Sequence, residues 1–145
     1  METSFPTALQ WTSDLSVGCD RLDQRNHALL DDLAASEHMI MIANSDELVV
    51  WLQARLNQFA QVLDHEEAEL AAADYPEQTF HRLLHDEGRR IADDIAAQLR
   101  RCDSKVVLAR LVRSSCTSLS LWFVRHVLDA DPFFAPYVDA RFRGP

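Results

Sequence analysis

The clearest helical pattern in the chain lies at residues 44–76, which read NSDELVVWLQARLNQFAQVLDHEEAELAAADYP. Asn44 can cap the start of a helix there, because Glu47 follows three residues later and completes a capping box. Pro76 disfavours the α-helical conformation of the residue before it, so the helix is expected to end at about Ala73. Apolar residues at helical spacing predict one inward face, formed by Leu48, Leu52, Leu56, Phe59, Leu63 and Leu70.

Long helices are expected on both sides of this segment, because the chain has only 3 Gly and 5 Pro and therefore few turns. Residues 1–19 lack a sustained helical period and are predicted to form an N-terminal arm. Four long helices with short connections favour an all-α, up-down-up-down four-helix bundle, and we expect residues 1–145 to form one domain. The predicted helices span about 20–43, about 46–73, about 76–102 and the stretch from an Asp103-Ser104 cap to about Asp129.

The composition is ordinary for a globular protein, with 48% hydrophobic and 26% charged residues over 145 positions. The formal net charge of −9 argues against nucleic acid or an anionic membrane surface as a partner. No apolar stretch reaches the roughly 18 residues of a spanning helix, and the first residues lack a secretory-signal pattern. Three widely separated cysteines indicate reduced thiols, so we expect a cytoplasmic protein without thiol chemistry.

His81 and His85 lie four residues apart on the third predicted helix. Residues at this spacing lie one above the other on one helix face, where two imidazoles can bind one metal ion. The same spacing also occurs for pairs of histidines on solvated faces. The pair therefore needs further ligands on other helices before it indicates a metal site.

Glu66 falls on the inward apolar stripe of the second predicted helix, between Leu63 and Leu70. A buried carboxylate is costly unless it has a cation, hydrogen-bond donors or a proton. The alternative is a carboxylate tolerated at the boundary of the core. The neighbouring Glu67 and Glu69 are expected to form a solvated acidic face.

His126 and Asp131 lie five residues apart near the end of the fourth predicted helix. Such residues diverge by about 140° on a regular helix. Pro132 is expected to end the helix, so that the Asp131 carboxylate can fold back toward His126. The alternative is an ordinary helix end with an exposed acid.

Taken together, these residues make a stronger case for a metal centre than any one of them. Helical bundles build ligand sets from facing positions on different helices. Three imidazoles and two carboxylates in one core are difficult to explain as packing. Nitrogen and oxygen donors of this kind suit iron, manganese or zinc. The predicted ligands are His81, His85, His126, Glu66 and Asp131.

This ordered set resembles the hemerythrin family, in particular the bacterial hemerythrins, over nearly the whole chain. The resemblance implies a four-helix bundle with a non-haem di-iron centre that binds oxygen reversibly. It also implies that His81, His85 and His126 bind one iron, while Glu66 and Asp131 bridge two irons. The matching residues are Trp11, Leu15, Val17-Gly18, Leu22-Asp23, Glu66-Glu67, Leu70, Tyr75-Pro76, His81, His85, Trp122, His126 and Asp131.

The sequence departs from the family at the second iron. The two positions that carry histidine in the family are Asn26 and Val62 here. His27 and His65 lie near these positions and are the candidates to replace the missing ligands. Both point elsewhere on their helices, so the alternative is that they lie at the surface or at the boundary of the core. One iron is therefore favoured over two. Gly88 stands where the family has a large apolar residue, which suggests a gap beside the site or a looser helix.

The resemblance implies a non-haem iron protein that binds dioxygen or a related small ligand, nitric oxide or superoxide, and that is not an enzyme. Oxygen binding as peroxide uses electrons from both irons in the family, so a single iron disfavours ordinary oxygen carriage. Two alternatives remain open. One is a mononuclear iron redox enzyme acting on superoxide or peroxide, and the other is a metal-free bundle with a structural or interaction role.

Overall fold

A computed structural model of the protein describes residues 9–138. Within this range the regular secondary structure is helical throughout, which confirms the predicted all-α class. None of these helices combines the length and the apolar character needed to cross a membrane. The α-helices are α1 (Asp20–Ala34), α2 (Ser36–Ile42), α3 (Ser45–Ala72), α4 (Gln78–Arg101) and α5 (Lys105–Asp129), with 3-10 turns at Ser13–Leu15 and Asp131–Phe133.

Local hydrogen bonds at the helix ends explain why α3 and α5 begin where the sequence predicts. The Glu47 N–H donates to Asn44 Oδ1 over 2.9 Å, and the Asn44 N–H donates to Glu47 Oε1 over 3.2 Å. This capping box satisfies two backbone groups that an uncapped helix would leave unpaired. Ser104 caps α5 in a similar way, because its Oγ accepts from the Val107 N–H over 3.2 Å.

The turn between α3 and α4 is also local in origin. Asp74 takes a positive φ of 53°, and the Tyr75 N–H donates to the Leu70 carbonyl over 3.0 Å. These features close the C-terminal end of α3. Helix α4 then begins at Gln78, two residues after the predicted start at Pro76.

The first predicted helix is interrupted, which the sequence pattern did not indicate. Helix α1 ends at Ala34, and the Ala35 N–H bonds to the Asp32 carbonyl in a tighter turn before α2 begins. The turn leaves Ser36 buried, with its hydroxyl in hydrogen-bond contact with the Cys116 thiol of α5. A tertiary contact with α5 therefore accompanies a break within a continuous helical pattern.

The helices pack around one apolar core. Helix α3 packs against α4, α4 packs against α5, and α1 packs against both α3 and α5. This packing is consistent with the predicted bundle. It brings the predicted ligands of α3, α4 and α5 into one region. Side chains with no exposed surface in this core include Leu29, Leu30, Leu33, Leu52, Phe59, Leu63, Leu119 and Phe123.

Part of the predicted N-terminal arm packs on the helices. Leu15 and Val17 are buried, and the Val17 N–H donates to Asp23 Oδ1 over 2.9 Å. The rest of the predicted arm, at residues 1–8, and the chain end at 139–145 lie outside the described residues.

Candidate metal centre

Four of the predicted ligands meet in the core between α3, α4 and α5. Their ligand atoms all lie within 4.8 Å of one another, and all four residues are buried. Glu66 Oε1 is the common neighbour of the three imidazoles. It lies 2.6 Å from His81 Nε2, 2.9 Å from His85 Nε2 and 3.3 Å from His126 Nε2. Three helices therefore direct three nitrogens and one carboxylate oxygen toward one small volume.

Asp131, the fifth predicted ligand, approaches the same group from beyond the end of α5. Helix α5 ends at Asp129, and the following 3-10 turn leaves the Asp131 side chain fully buried. Its Oδ1 lies 3.1 Å from His126 Nε2 and 3.3 Å from His81 Nε2. The carboxylate thus folds back toward His126, as the position of Pro132 predicts.

Several polar atoms of this cluster lack hydrogen-bond partners. Among the residues that the structure describes, these include Glu66 Oε2 and Asp131 Oδ2, whereas Asp131 Oδ1 has only its ion-pair contacts with His126 and His81. Buried oxygens without partners are costly, and a bound cation removes that cost. The donor set of imidazole nitrogens and carboxylate oxygens fits a first-row divalent metal.

The spacing of the imidazole nitrogens also fits a shared ion. His85 Nε2 and His126 Nε2 lie 3.0 Å apart. Two ligand atoms bound at right angles to one ion, each about 2.1 Å from it, lie about 3.0 Å from each other. The nitrogens are therefore spaced as neighbouring ligands of one metal ion would be.

Without a metal, protons balance the charges of the cluster. Burial opposes ionisation of Glu66, but hydrogen bonds from His126, His81 and His85 hold the pKa of its carboxyl well below the usual range. Burial likewise opposes protonation of His126, but Asp131 and Glu66 raise the pKa of this imidazole to about 10. The pKa of His81 is raised by the same two carboxyl groups against the effect of burial.

The Asp131 carboxyl group differs from Glu66 in the direction of its shift. Burial and the negative charge of Glu66 raise the pKa of Asp131, and the nearby His126 and His81 only partly oppose this. The two buried carboxyl groups therefore compete for a limited positive charge. A divalent cation between them would stabilise both in the ionised form.

Glu67 belongs to this site, and the prediction that Glu67 and Glu69 form a solvated acidic face is wrong. The Glu69 side chain is only 12% exposed. The Glu67 side chain is 14% exposed, and its Oε2 lies 3.0 Å from His85 Nδ1. A carboxylate at Nδ1 favours the tautomer in which Nε2 is free to bind a metal. The only sequence signal for Glu67 was its place in the Glu66-Glu67 pair of the family resemblance.

Gly88 leaves no gap beside the site, so that expectation is also corrected. A Cβ atom added at Gly88 would lie 2.7 to 2.8 Å from three ring atoms of Trp122. The indole of Trp122 fills the space and stacks on His126, with the ring centroids 4.9 Å apart and the planes 7° from parallel. The missing side chain therefore makes room for a ring that supports a predicted ligand.

The two positions of the second family iron contribute no imidazole. Asn26 and Val62 are both buried, and Asn26 Nδ2 has no hydrogen-bond partner among the described residues. His27 is exposed, stacks on Trp11 and pairs with Asp31. His65 is exposed as well. Neither histidine replaces the missing ligands in this arrangement.

Cys116 behaves as a small core residue, as the sequence predicts. The side chain has no exposed surface, and burial raises the pKa of its thiol to about 12. A thiol with so high a pKa is mostly protonated at neutral pH and is a poor nucleophile.

An apolar groove leads from the surface toward His81. It has a volume of about 360 Å³, and its lining includes Phe80, His81, Leu84 and Phe133. A second groove of about 430 Å³ reaches Trp122 and His126, and Leu84 lies between the two. Small molecules can therefore approach two of the imidazoles from the side where α4 meets α5.

Comparisons with known proteins do not extend these observations. No protein-family model matches the chain, and no curated protein matches it. The fold class and the arrangement of the cluster therefore rest on the sequence and structure of this chain.

Proposed function

We propose that this protein is a hemerythrin-like, non-haem iron protein built on a four-helix bundle. The observation that carries the proposal is the buried cluster in which His81, His85 and His126 direct Nε2 toward Glu66 Oε1. Asp131 completes the proposed ligand set. The order and spacing of these five residues along the chain match the hemerythrin pattern.

A metal-binding role is favoured over a metal-free structural role by the energetics of the cluster. Two buried carboxyl groups with partnerless oxygens destabilise a core that needs no metal. Apolar residues at the same positions would pack without that cost. The presence of five polar groups in one core is therefore better explained by a bound cation.

One iron is proposed in place of the family's two. Asn26 offers a weak ligand and Val62 offers none at the positions of the second iron, while His27 and His65 are exposed. A bound iron would supply a redox-active centre that can exchange one electron with a small ligand. The proposed ligands are dioxygen, nitric oxide or superoxide, which are small enough to enter by the apolar groove at His81.

The first test is the iron content of protein reconstituted anaerobically with ferrous iron. We expect about one iron per chain, with three imidazole ligands. His85→Ala should abolish most of this binding. His65→Ala, which removes an exposed histidine of α3, is the matched control and should bind iron as the wild type does.

Three results would count against all or part of the proposal. Absence of iron from the wild type would refute the metal centre, and unchanged iron in His85→Ala would refute the ligand assignment. About two irons per chain would refute the mononuclear part alone. Ligand binding is then tested by adding nitric oxide to the ferrous protein, where a new electron paramagnetic resonance signal is expected.

A further inference from the structure

Glu67 connects the proposed metal ligands to a charged network on the surface of α3 and α4. Its Oε2 lies 3.0 Å from His85 Nδ1 and also contacts Arg89 Nη2. Its Oε1 lies 3.2 Å from Arg82 Nε. Both carboxylate oxygens are therefore engaged by positively charged or hydrogen-bonding groups of α4.

This network holds the Glu67 carboxylate in one orientation. Arg89 is 31% exposed and also pairs with Asp64 at 2.9 Å and with Asp86 at 3.3 Å. A guanidinium with three carboxylate neighbours has little freedom to turn away. Glu67 is thus fixed against a buried imidazole, although it lies near the protein surface.

The position of this carboxylate has a chemical consequence for His85. An anionic acceptor at Nδ1 holds the proton on that nitrogen and leaves Nε2 as the metal-binding atom. It also draws the Nδ1 proton toward itself, so that the imidazole becomes a stronger electron donor through Nε2. A stronger donor stabilises the more oxidised state of a bound metal.

We propose that Glu67, held by Arg89 and Arg82, is a positioning residue that orients His85 and lowers the reduction potential of the metal centre. This inference rests on the proposed function, since it requires a metal at Glu66, His81, His85 and His126. It assigns a role to a residue outside the predicted ligand set.

The test compares Glu67→Ala, Glu67→Gln and Glu69→Gln. Glu67→Ala removes the acceptor, whereas Glu67→Gln keeps an acceptor of similar shape without the charge. Glu69→Gln is the matched control, because it removes an acid of the same helix that pairs with Arg21 of α1. Folding of each variant is checked by circular dichroism of the metal-free protein.

The first measurement is Zn²⁺ affinity by competition with a chelator. We expect Glu67→Ala to bind Zn²⁺ roughly 10- to 100-fold more weakly, as is typical when a hydrogen-bond partner of a metal-bound histidine is lost. Glu67→Gln should lose less Zn²⁺ affinity than Glu67→Ala, and Glu69→Gln should bind Zn²⁺ as tightly as the wild type does. The second measurement is the reduction potential of the iron-loaded protein, which should rise in Glu67→Gln and stay constant in Glu69→Gln.

A third measurement uses the Co²⁺-loaded protein. In the wild type, the bound Co²⁺ should shift the magnetic resonance signal of the His85 Nδ1 proton, and this signal should be visible in water because the proton exchanges slowly. The signal should be lost in Glu67→Ala. If both Glu67 variants bind Zn²⁺ with the affinity of the wild type and have its reduction potential, the inference is overturned, while the proposed metal centre stays intact. An equal effect of Glu69→Gln would also overturn it. Failure of the wild type to bind any of the three metals would overturn the proposed function itself.

Discussion

Gly88→Ala should destabilise the protein, although glycine to alanine in the interior of a helix normally stabilises. The normal gain is about 0.8–1.0 kcal/mol, because alanine has the higher helix propensity. At Gly88 the added Cβ would lie 2.7 Å from Trp122 Cη2 and 2.8 Å from Cζ2 and Cζ3. Since real Cβ atoms do not approach other atoms so closely, the indole or the α4 backbone must move.

The magnitude follows from the contacts that this movement would disturb. Overpacking of a filled core costs about 1–3 kcal/mol. Displacement of Trp122 from its stack on His126 removes an aromatic contact of about 0.5–1.5 kcal/mol. After the gain in helix propensity is subtracted, the free energy of unfolding should fall by about 0.5–3.5 kcal/mol.

The assay is urea denaturation of the metal-free protein, followed by far-ultraviolet circular dichroism. Trp122→Phe provides the matched background, because the smaller ring lacks the part of the indole that meets the new methyl group. In that background Gly88→Ala should be neutral or stabilising by up to about 1 kcal/mol. The reasoning is refuted if Gly88→Ala stabilises the otherwise wild-type protein, or if the two substitutions have additive effects.

Three further predictions concern protons, an ion pair and a thiol. Zn²⁺ binding to the metal-free protein at pH 7 should release protons, which a pH indicator detects in weakly buffered solution. The reason is that Asp131 and Glu66 outweigh burial and raise the pKa of His126 to about 10, so this imidazole carries a proton that the metal must displace. Absence of proton release would contradict this prediction. Glu37→Gln should lower the free energy of unfolding at pH 7 by less than about 1 kcal/mol, since Glu37 is 47% exposed. Arg113 lowers the pKa of Glu37, so the ion pair stabilises the protein fully at pH values above 4.5, the ordinary pKa of a glutamate. As the pH falls below 4.5 and Glu37 becomes protonated, denaturation curves of Glu37→Gln and the wild type should converge. Cys116 should resist a thiol reagent at pH 8 until the protein unfolds, because burial raises the pKa of its thiol to about 12. Fast labelling of Cys116 in the folded protein would contradict its placement in the core.

Local signals in the sequence predicted where α3 and α5 begin. The capping box at Asn44 and the Ser104 cap each depend on a residue three positions along the chain. The burial of Glu66 followed from its place on an apolar stripe with a helical period. These features involve residues within one or two turns, whose geometry is fixed once a helix forms.

The features that the sequence did not predict all depend on contacts between distant segments. The break at Ala35 accompanies a contact between Ser36 and Cys116. The tight packing at Gly88 depends on Trp122, which belongs to the next helix. No local pattern reports which side chain of one helix will meet a given position of another.

The sequence by itself determined the all-α class, the capped starts of α3 and α5 and the set of five side chains suited to a metal. The tertiary structure alone decided that Glu66 Oε1 lies within 3.3 Å of three imidazole nitrogens and that Glu67 contacts His85. Helix periodicity fixes the direction of a side chain about its own axis. The separation between side chains on different helices depends on how the helices pack, and packing is set by the whole core at once.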